Sequence, residues 1–159
     1  MLKNKSHVII LIITITAIFV IGLIFLLNLK PNINRNTKLE DIVIEENKIN
    51  IYVFWGEGCP HCEDLFNFFE SIDRKYGKYY NIYGFEIWNN EENETFMNQL
   101  LNELGTSNNN QAVPTFIVGN EVFNGYKKSD NQKIKDAIVE QYNNRENNLN
   151  FENIINETK

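Results

Sequence analysis

Cys59 and Cys62, the only cysteines in the chain, stand two residues apart in Gly58-Cys59-Pro60-His61-Cys62, between an apolar run and a stretch of helical periodicity. That spacing lets one helical turn hold both sulfurs together, as a reversible dithiol requires. The run before it, Ile49-Asn50-Ile51-Tyr52-Val53-Phe54-Trp55, is apolar towards both faces. Such a pattern predicts a strand inside a sheet that helices cover on both sides. After it, Leu65, Phe68, Phe69, Ile72 and Tyr76 recur at helical spacing and predict an amphipathic helix. A buried strand must therefore end at the dithiol and turn straight into a helix.

Helix capping explains why these residues suit thiol chemistry. Pro60 fits the first helical position, where its missing N–H is not needed and its fixed φ is already right. Cys59 is then the N-cap, with the free amides of His61 and Cys62 turned towards its sulfur. A thiolate there accepts those hydrogen bonds at the positive end of the helix dipole, and the His61 imidazole adds a donor or a charge. Each contribution is about 1 kcal/mol and one pKa unit is about 1.4 kcal/mol, so several must act together. Cys62, further into the helix, is the expected resolving thiol. Glu57, Glu63 and Asp64 work against the thiolate, and the cap with His61 is expected to prevail at close range.

Other uses of the pair fit less well. A bond across two intervening residues closes almost no loop and stabilises little. Tetrahedral zinc needs four ligands, but beyond the apolar segment near the amino terminus only these sulfurs and His61 are available as Cys or His. Carboxylates completing a zinc site, or a two-thiolate Cu(I) site, keep a metal-binding module as an alternative of another class. Glu63 stands where c-type haem attachment would need a histidine.

Residues 8–29 carry no charged side chain. At about 1.5 Å per residue the run reaches roughly 33 Å, enough for a hydrocarbon core of about 30 Å. It is longer than a signal-peptide core, and Leu26-Leu27-Asn28-Leu29-Lys30 offers no small-x-small cleavage site. No cysteine follows directly, which excludes lipoprotein processing. A retained transmembrane anchor over 8–29 is therefore expected, after a short tail at 1–7. Lys3 and Lys5 on one side nearly balance Lys30, Arg35 and Lys38 on the other, so charge leaves the orientation open. The domain is placed outside the cytoplasm because a tethered dithiol has more work on the oxidising face. Residues 30–48 read as a polar tether, in which Leu39, Ile42, Val43 and Ile44 offer a short docking element. The domain itself is expected over 49–143, and 144–159 as a frayed polar tail. A formal net charge of −6 with no basic cluster excludes nucleic acid as a partner.

Within the domain, Tyr79 to Trp88 is aromatic and β-rich and predicts a second strand, joined to the first by a right-handed parallel crossover. Asn89 or Asn90 caps a helix whose inner face is Phe96, Met97, Leu100, Leu101 and Leu104, and Gly105 ends it. A polar loop from Thr106 to Gln111 leads to Ala112-Val113-Pro114-Thr115-Phe116-Ile117-Val118, and Gly119-Asn120 turns the chain into Glu121-Val122-Phe123. Ser129-Asp130-Asn131-Gln132 is a capping box for a last helix with Ile134, Ala137, Ile138 and Tyr142 inward. Trp55 and Tyr126 are expected in packing roles.

From residue 49 to 142 this order resembles the thioredoxin superfamily. Phe54-Trp55-Gly56-Glu57-Gly58-Cys59-Pro60-His61-Cys62 is similar to the Phe-Trp-x-x-x-Cys-x-x-Cys of thioredoxins, and its Pro-His pair to the bacterial dithiol oxidases of the DsbA type. Val113-Pro114-Thr115 resembles the family's cis-proline loop, and Gly125-Tyr126 the glycine before its last helix. The resemblance implies an α/β thioredoxin-like fold: a mixed sheet from a βαβ unit and a β-hairpin, helices on both faces, here behind an N-terminal transmembrane helix. It implies Cys59 and Cys62 as catalytic, Pro60 and His61 as tuning residues, and a cis Val113–Pro114 bond whose Val113 backbone pairs with extended substrate. Val53 departs from the pattern, since it stands where many members bury a carboxylate that handles the proton of the second cysteine. The expected function is a membrane-tethered thiol–disulfide oxidoreductase acting on extracytoplasmic protein thiols, inclined towards dithiol oxidation, with a specialised reductase as the alternative. Its expected partners are thiol- or disulfide-containing proteins, a redox recycling partner and the membrane. A monomer with no cofactor and no metal is expected.

Overall fold

The computed structural model describes residues 2–27, 33–107, 112–149 and 151–157, with the side chains of the first segment described over 7–23. The chain divides into two units, Met1–Lys30 and Pro31–Lys159. The first carries helix α1, Leu2–Leu27. Its described side chains are exposed all round, and the Thr14 and Thr16 hydroxyls turn back to the Leu11 and Ile13 carbonyls at 2.8 and 2.9 Å. Among the described residues no helix is long and apolar enough to cross a membrane. The expected transmembrane anchor over 8–29 is therefore not supported by the described residues. Residues 28 and 29 of that anchor lie outside the described residues.

The second unit is built on strand β1, Ile49–Trp55. Strand β2, Tyr80–Glu86, lies parallel to it, with Ile49 opposite Tyr80 and Trp55 opposite Glu86. Strand β3, Thr115–Val118, lies antiparallel on the other side of β1, and β4, Glu121–Asn124, pairs antiparallel with β3 at the edge. The sheet order is thus β2-β1-β3-β4. Gly119, at φ +59°, makes the turn between β3 and β4.

Alternation along β1 divides the core in two. Ile49, Ile51 and Val53 face one way, into a cluster with α2 (Pro60–Tyr76) and α4 (Asn131–Asn143) that includes Phe66, Phe69, Phe116 and Ile138. Tyr52 and Phe54 face the other, into a cluster with α3 (Glu91–Glu103) that includes Phe85, Phe96, Leu100 and Ile117. This explains why β1 is apolar at consecutive positions: both of its faces are covered. A fully buried phenylalanine is worth about 1.5–3 kcal/mol over an exposed one, so Phe54, Phe69 and Phe96 are principal anchors of the two layers. The result is the mixed sheet, βαβ plus hairpin with helices on both faces, that the resemblance implies.

Three stretches differ from expectation. The segment expected as a free tether docks from residue 33 onward: Asn34 bridges Tyr83 in parallel register, Gly84 N donates to Asn34 O at 2.8 Å, and Thr37 N donates to Gly84 O at 2.8 Å. The physical cause is Gly84, where an added Cβ would stand 2.8 Å from both Cα and O of Arg35. Leu39 and Ile42 of the suggested docking element are buried, whereas Val43 and Ile44 are exposed. The tail expected to fray instead forms α5, Glu152–Glu157, and buries Phe151 and Ile155 against the α3 layer, because those residues stand one helical turn apart. Finally, Ser129 does not cap the helix after it. A short 3₁₀ turn, Lys128–Asp130, intervenes, and Asp130 Oδ2 accepts from Lys127 N at 3.1 Å. Asn90, one of the two candidates, caps α3 by accepting from Asn93 N at 3.0 Å. Residues 108–111 of the expected polar loop lie outside the described residues.

Candidate active site

β1 delivers Trp55 to a tight loop in which Gly58 takes φ +75° and Cys59 N donates to Gly56 O at 3.1 Å. A side chain at Gly58 would be strained there, whereas glycine adopts the conformation freely. The loop leaves Cys59 at φ −77°, ψ 111° as the N-cap of α2, with Pro60 in the first turn. Capping geometry thus follows from the local sequence. Cys62 N points back at Cys59 Sγ, 3.2 Å away, and Glu63 N donates to Cys59 O at 3.2 Å.

The two cysteines are joined in a disulfide, with Cα atoms 5.3 Å apart. Cys59 is 6% exposed and Cys62 1%, so Cys59 is the sulfur an incoming thiol reaches first. His61 is exposed beside them. From the other side comes the loop before β3: Val113–Pro114 is cis, and Val113 O lies 3.9 Å from Cys59 Sγ. Gly125 N donates to Pro114 O at 2.7 Å, and Thr115 Oγ1 donates to Ala112 O at 2.8 Å, fixing that loop from both ends. The structure therefore brings Cys59, Pro60, Cys62, Val113 and Pro114 together from two separated parts of the chain.

Val53 is fully buried in the α2 layer, so this position of β1 presents no carboxylate. Tyr126 packs 5.9 Å from Phe68, centroid to centroid, and its hydroxyl donates to Asn131 Oδ1 at 2.7 Å. Burial, then Asp64 and Asp130, push its phenol above the ordinary range against the pull of Asn131. Among the described residues no three His, Cys, Asp or Glu side chains are grouped to hold a metal ion.

Sequence reasoning missed three contributors. Glu86, the last residue of β2, shapes the rim of the cysteine loop: its carboxylate accepts from Glu57 N at 3.4 Å, Trp88 N at 3.0 Å and Asn89 N at 2.9 Å. Trp88 is half exposed and lies over Gly56, where a Cβ would run into its ring. The third is Arg35, whose guanidinium reaches Glu63 Oε2 at 2.7 Å and Glu70 Oε1 at 3.1 Å and lies 4.7 Å over the Phe66 ring. Burial lowers its pKa, but hydrogen bonds and charge from Glu63 and Glu70 outweigh that and leave it raised. None of the three carries a local motif, and each reaches at least one residue distant in sequence. A glycine inside a strand, as at Gly84, was the one available signal of a close backbone approach.

No family model matches the chain, and the comparison with curated proteins found no match. Among solved structures it is similar to a thioredoxin of Malassezia sympodialis, at 22% identity over 60% of this chain and 76% of that one, with a TM-score of 0.39. It is similar also to thioredoxin O2 of Arabidopsis thaliana in the oxidised state, at 17% identity over 60% and 76% of the two chains, TM-score 0.39. A glutaredoxin of Archaeoglobus fulgidus matches at 17% identity over 65% of this chain and 94% of its own, TM-score 0.37. At that level of similarity it is the geometry of the site, not the likeness, that bears on chemistry.

Proposed function

We propose that this chain is a thiol–disulfide oxidoreductase, tethered to a membrane by its amino-terminal segment, that exchanges disulfides with extracytoplasmic proteins and works mainly as a dithiol oxidase. The observation that carries the reading is the Cys59–Cys62 disulfide at the start of α2, with the Cys62 amide aimed at the sulfur of Cys59. In a purely structural disulfide that amide serves only to cap the helix. A leaving thiolate gains more from it, because hydrogen bonds and the helix N-terminus stabilise the anion.

In the oxidising direction a substrate thiolate attacks Cys59 Sγ, the Cys59–Cys62 bond breaks, and Cys62 leaves with the electron pair and takes a proton. A mixed disulfide between substrate and Cys59 results. A second substrate thiolate then attacks the substrate sulfur, expelling Cys59 as a thiolate. The substrate has lost two electrons and gained a disulfide, and the chain holds them as its dithiol. Val53 supplies no carboxylate, so the proton that Cys62 takes comes from water or from another group. Val113, next to the reacting sulfur, is the backbone on which an extended substrate segment would pair, with Pro114 holding it in place. A stabilised Cys59 thiolate favours the reduced chain and so makes the oxidised chain the better donor, with His61 adding to the effect. A redox partner regenerates the disulfide after each turnover.

Support for the tether comes from the uncharged stretch 8–29 and from α1, whose large apolar side chains are exposed from Val8 to Leu23. Such side chains along a helix call for an apolar surround. The placement of the domain outside the cytoplasm rests on the chemistry, which an oxidising compartment sustains.

Equilibrating the full chain in detergent with glutathione buffers tests the direction. The expected reduction potential lies well above the roughly −270 mV of thioredoxins, towards the roughly −120 mV of strong oxidants. A value near the lower figure would make the chain a reductase instead.

A further inference from the structure

The strap over residues 34–37 precedes β1, the first strand of the sheet, yet it reaches the helix that carries the dithiol. Its backbone is fixed twice: on Gly84 of β2, and by Trp55, whose indole N–H donates to Arg35 O at 2.7 Å. Trp55 is the last residue of the strand that delivers the cysteine loop. The Arg35 side chain is held as firmly. Glu63, Phe66 and Glu70 stand three and four residues apart on α2 and so share one face. The guanidinium lies across that face, forked between the two carboxylates and stacked on the ring between them.

Glu63 directly follows Cys62 in the first turn of α2. The charged and titratable groups around the dithiol are mostly acidic: Glu57 in the loop, Glu63 and Asp64 on the helix, and Glu86 reaching in from β2, against His61 on the helix and Arg35 from the strap. Reduction adds a further negative charge at Cys59. An opposite charge that compensates a neighbouring carboxylate favours that anion, and its removal disfavours it.

We infer that Arg35 is a positioning residue for thiol exchange: by compensating Glu63 at the start of the active helix it raises the thiolate fraction of reduced Cys59. The inference rests on the exchange reading above and extends it to the segment joining α1 to the domain. The ion pair is part-exposed, at 32% for Arg35 and 57% for Glu63, so solvent and salt screen it and the effect is modest. A two- to fivefold change in thiolate fraction is on the scale of such pairs.

The test is the alkylation rate of reduced Cys59 as a function of pH, read by mass spectrometry on the full chain in detergent. Arg35→Gln should move the midpoint to higher pH and slow alkylation below it by about two- to fivefold. Arg35→Lys should recover most of the rate. Glu63→Gln should move the midpoint the opposite way, and Arg35→Gln with Glu63→Gln together should return it close to the parent value. Glutathione equilibria should follow, with the Arg35→Gln chain harder to keep reduced. The Glu63→Gln arm holds even where Arg35→Gln perturbs folding, because Glu63 is solvent-exposed. If the parent midpoint is low and neither Arg35→Gln nor Glu63→Gln moves it, the role of Arg35 is overturned while the exchange reading stands. If both parent thiols titrate as ordinary ones, the exchange reading falls and the inference with it.

Discussion

Single residues decide how much of this site could be read in advance. Cys59 and Pro60 act within one helical turn of each other, so the N-cap followed from two adjacent letters and the geometry agrees. Arg35 and Glu63 meet across 28 positions, and no local pattern announces such a pair. A different residue-scale consequence concerns the phenols. Burial pushes Tyr52 up to about 12, with Asn50 pulling down and Tyr83 pushing up, and burial followed by Asp73 pushes Tyr80 up as well. In the unfolded chain both ionise near the ordinary value of about 10. Above that pH the unfolded state binds fewer protons than the folded one, so stability falls as pH rises from about 10 towards 12. Tyr80 is also buried with its hydroxyl unpartnered among the described residues. Tyr80→Phe should therefore keep or raise stability at neutral pH, by up to about 1 kcal/mol, and lose less of it in alkali. Urea unfolding followed by tryptophan fluorescence at about pH 8 and pH 10.5 checks both. A loss of more than about 1 kcal/mol at neutral pH would show that the hydroxyl is partnered after all.

At the scale of elements, strands and helices with dense apolar periodicity were legible: β1, α2, β2, α3, the β3–β4 hairpin and α4 all stand close to where their patterns place them. The strap and α5 were not. The strap pairs through a single bridge and has no period to read, and α5 offers only Ile154 and Ile155, after Phe151, amid Asn and Glu. Both are recruited by surfaces that other elements create. Gly84 is what admits the strap, and Gly84→Ala forces its Cβ towards the Arg35 backbone. That substitution should cost about 2–3 kcal/mol, in the range of overpacked buried sites, and should loosen the bond from Trp55 to Arg35. Urea denaturation and Trp55 fluorescence report the two effects. A change within about 0.5 kcal/mol would mean that the strap contributes nothing to the fold.

For the whole molecule, the two units ask for different surroundings. The second hides most of its apolar residues in two layers, whereas α1 exposes Ile9, Leu11, Ile18, Phe19 and their neighbours. Fully burying side chains of this size contributes about 1.5–3 kcal/mol each, which is what the proposed tether would gain in lipid. The full chain should stay with membranes through alkaline carbonate extraction. In intact cells, after mild reduction, Cys59 should be labelled by a membrane-impermeant maleimide. Release by carbonate would contradict the tether, and labelling only after lysis would contradict the outward placement.

Trapping tests the chemistry most directly. Reduced full-length chain carrying Cys62→Ala is mixed with a disulfide-bonded protein such as insulin. Cys59 attacks, one substrate thiolate departs, and without Cys62 to resolve it a mixed disulfide accumulates that mass spectrometry maps to Cys59. The companion Cys59→Ala chain should form little or none, because Cys62 is 1% exposed. Equal trapping by both variants, or none by Cys62→Ala, would contradict Cys59 as the exchanging sulfur.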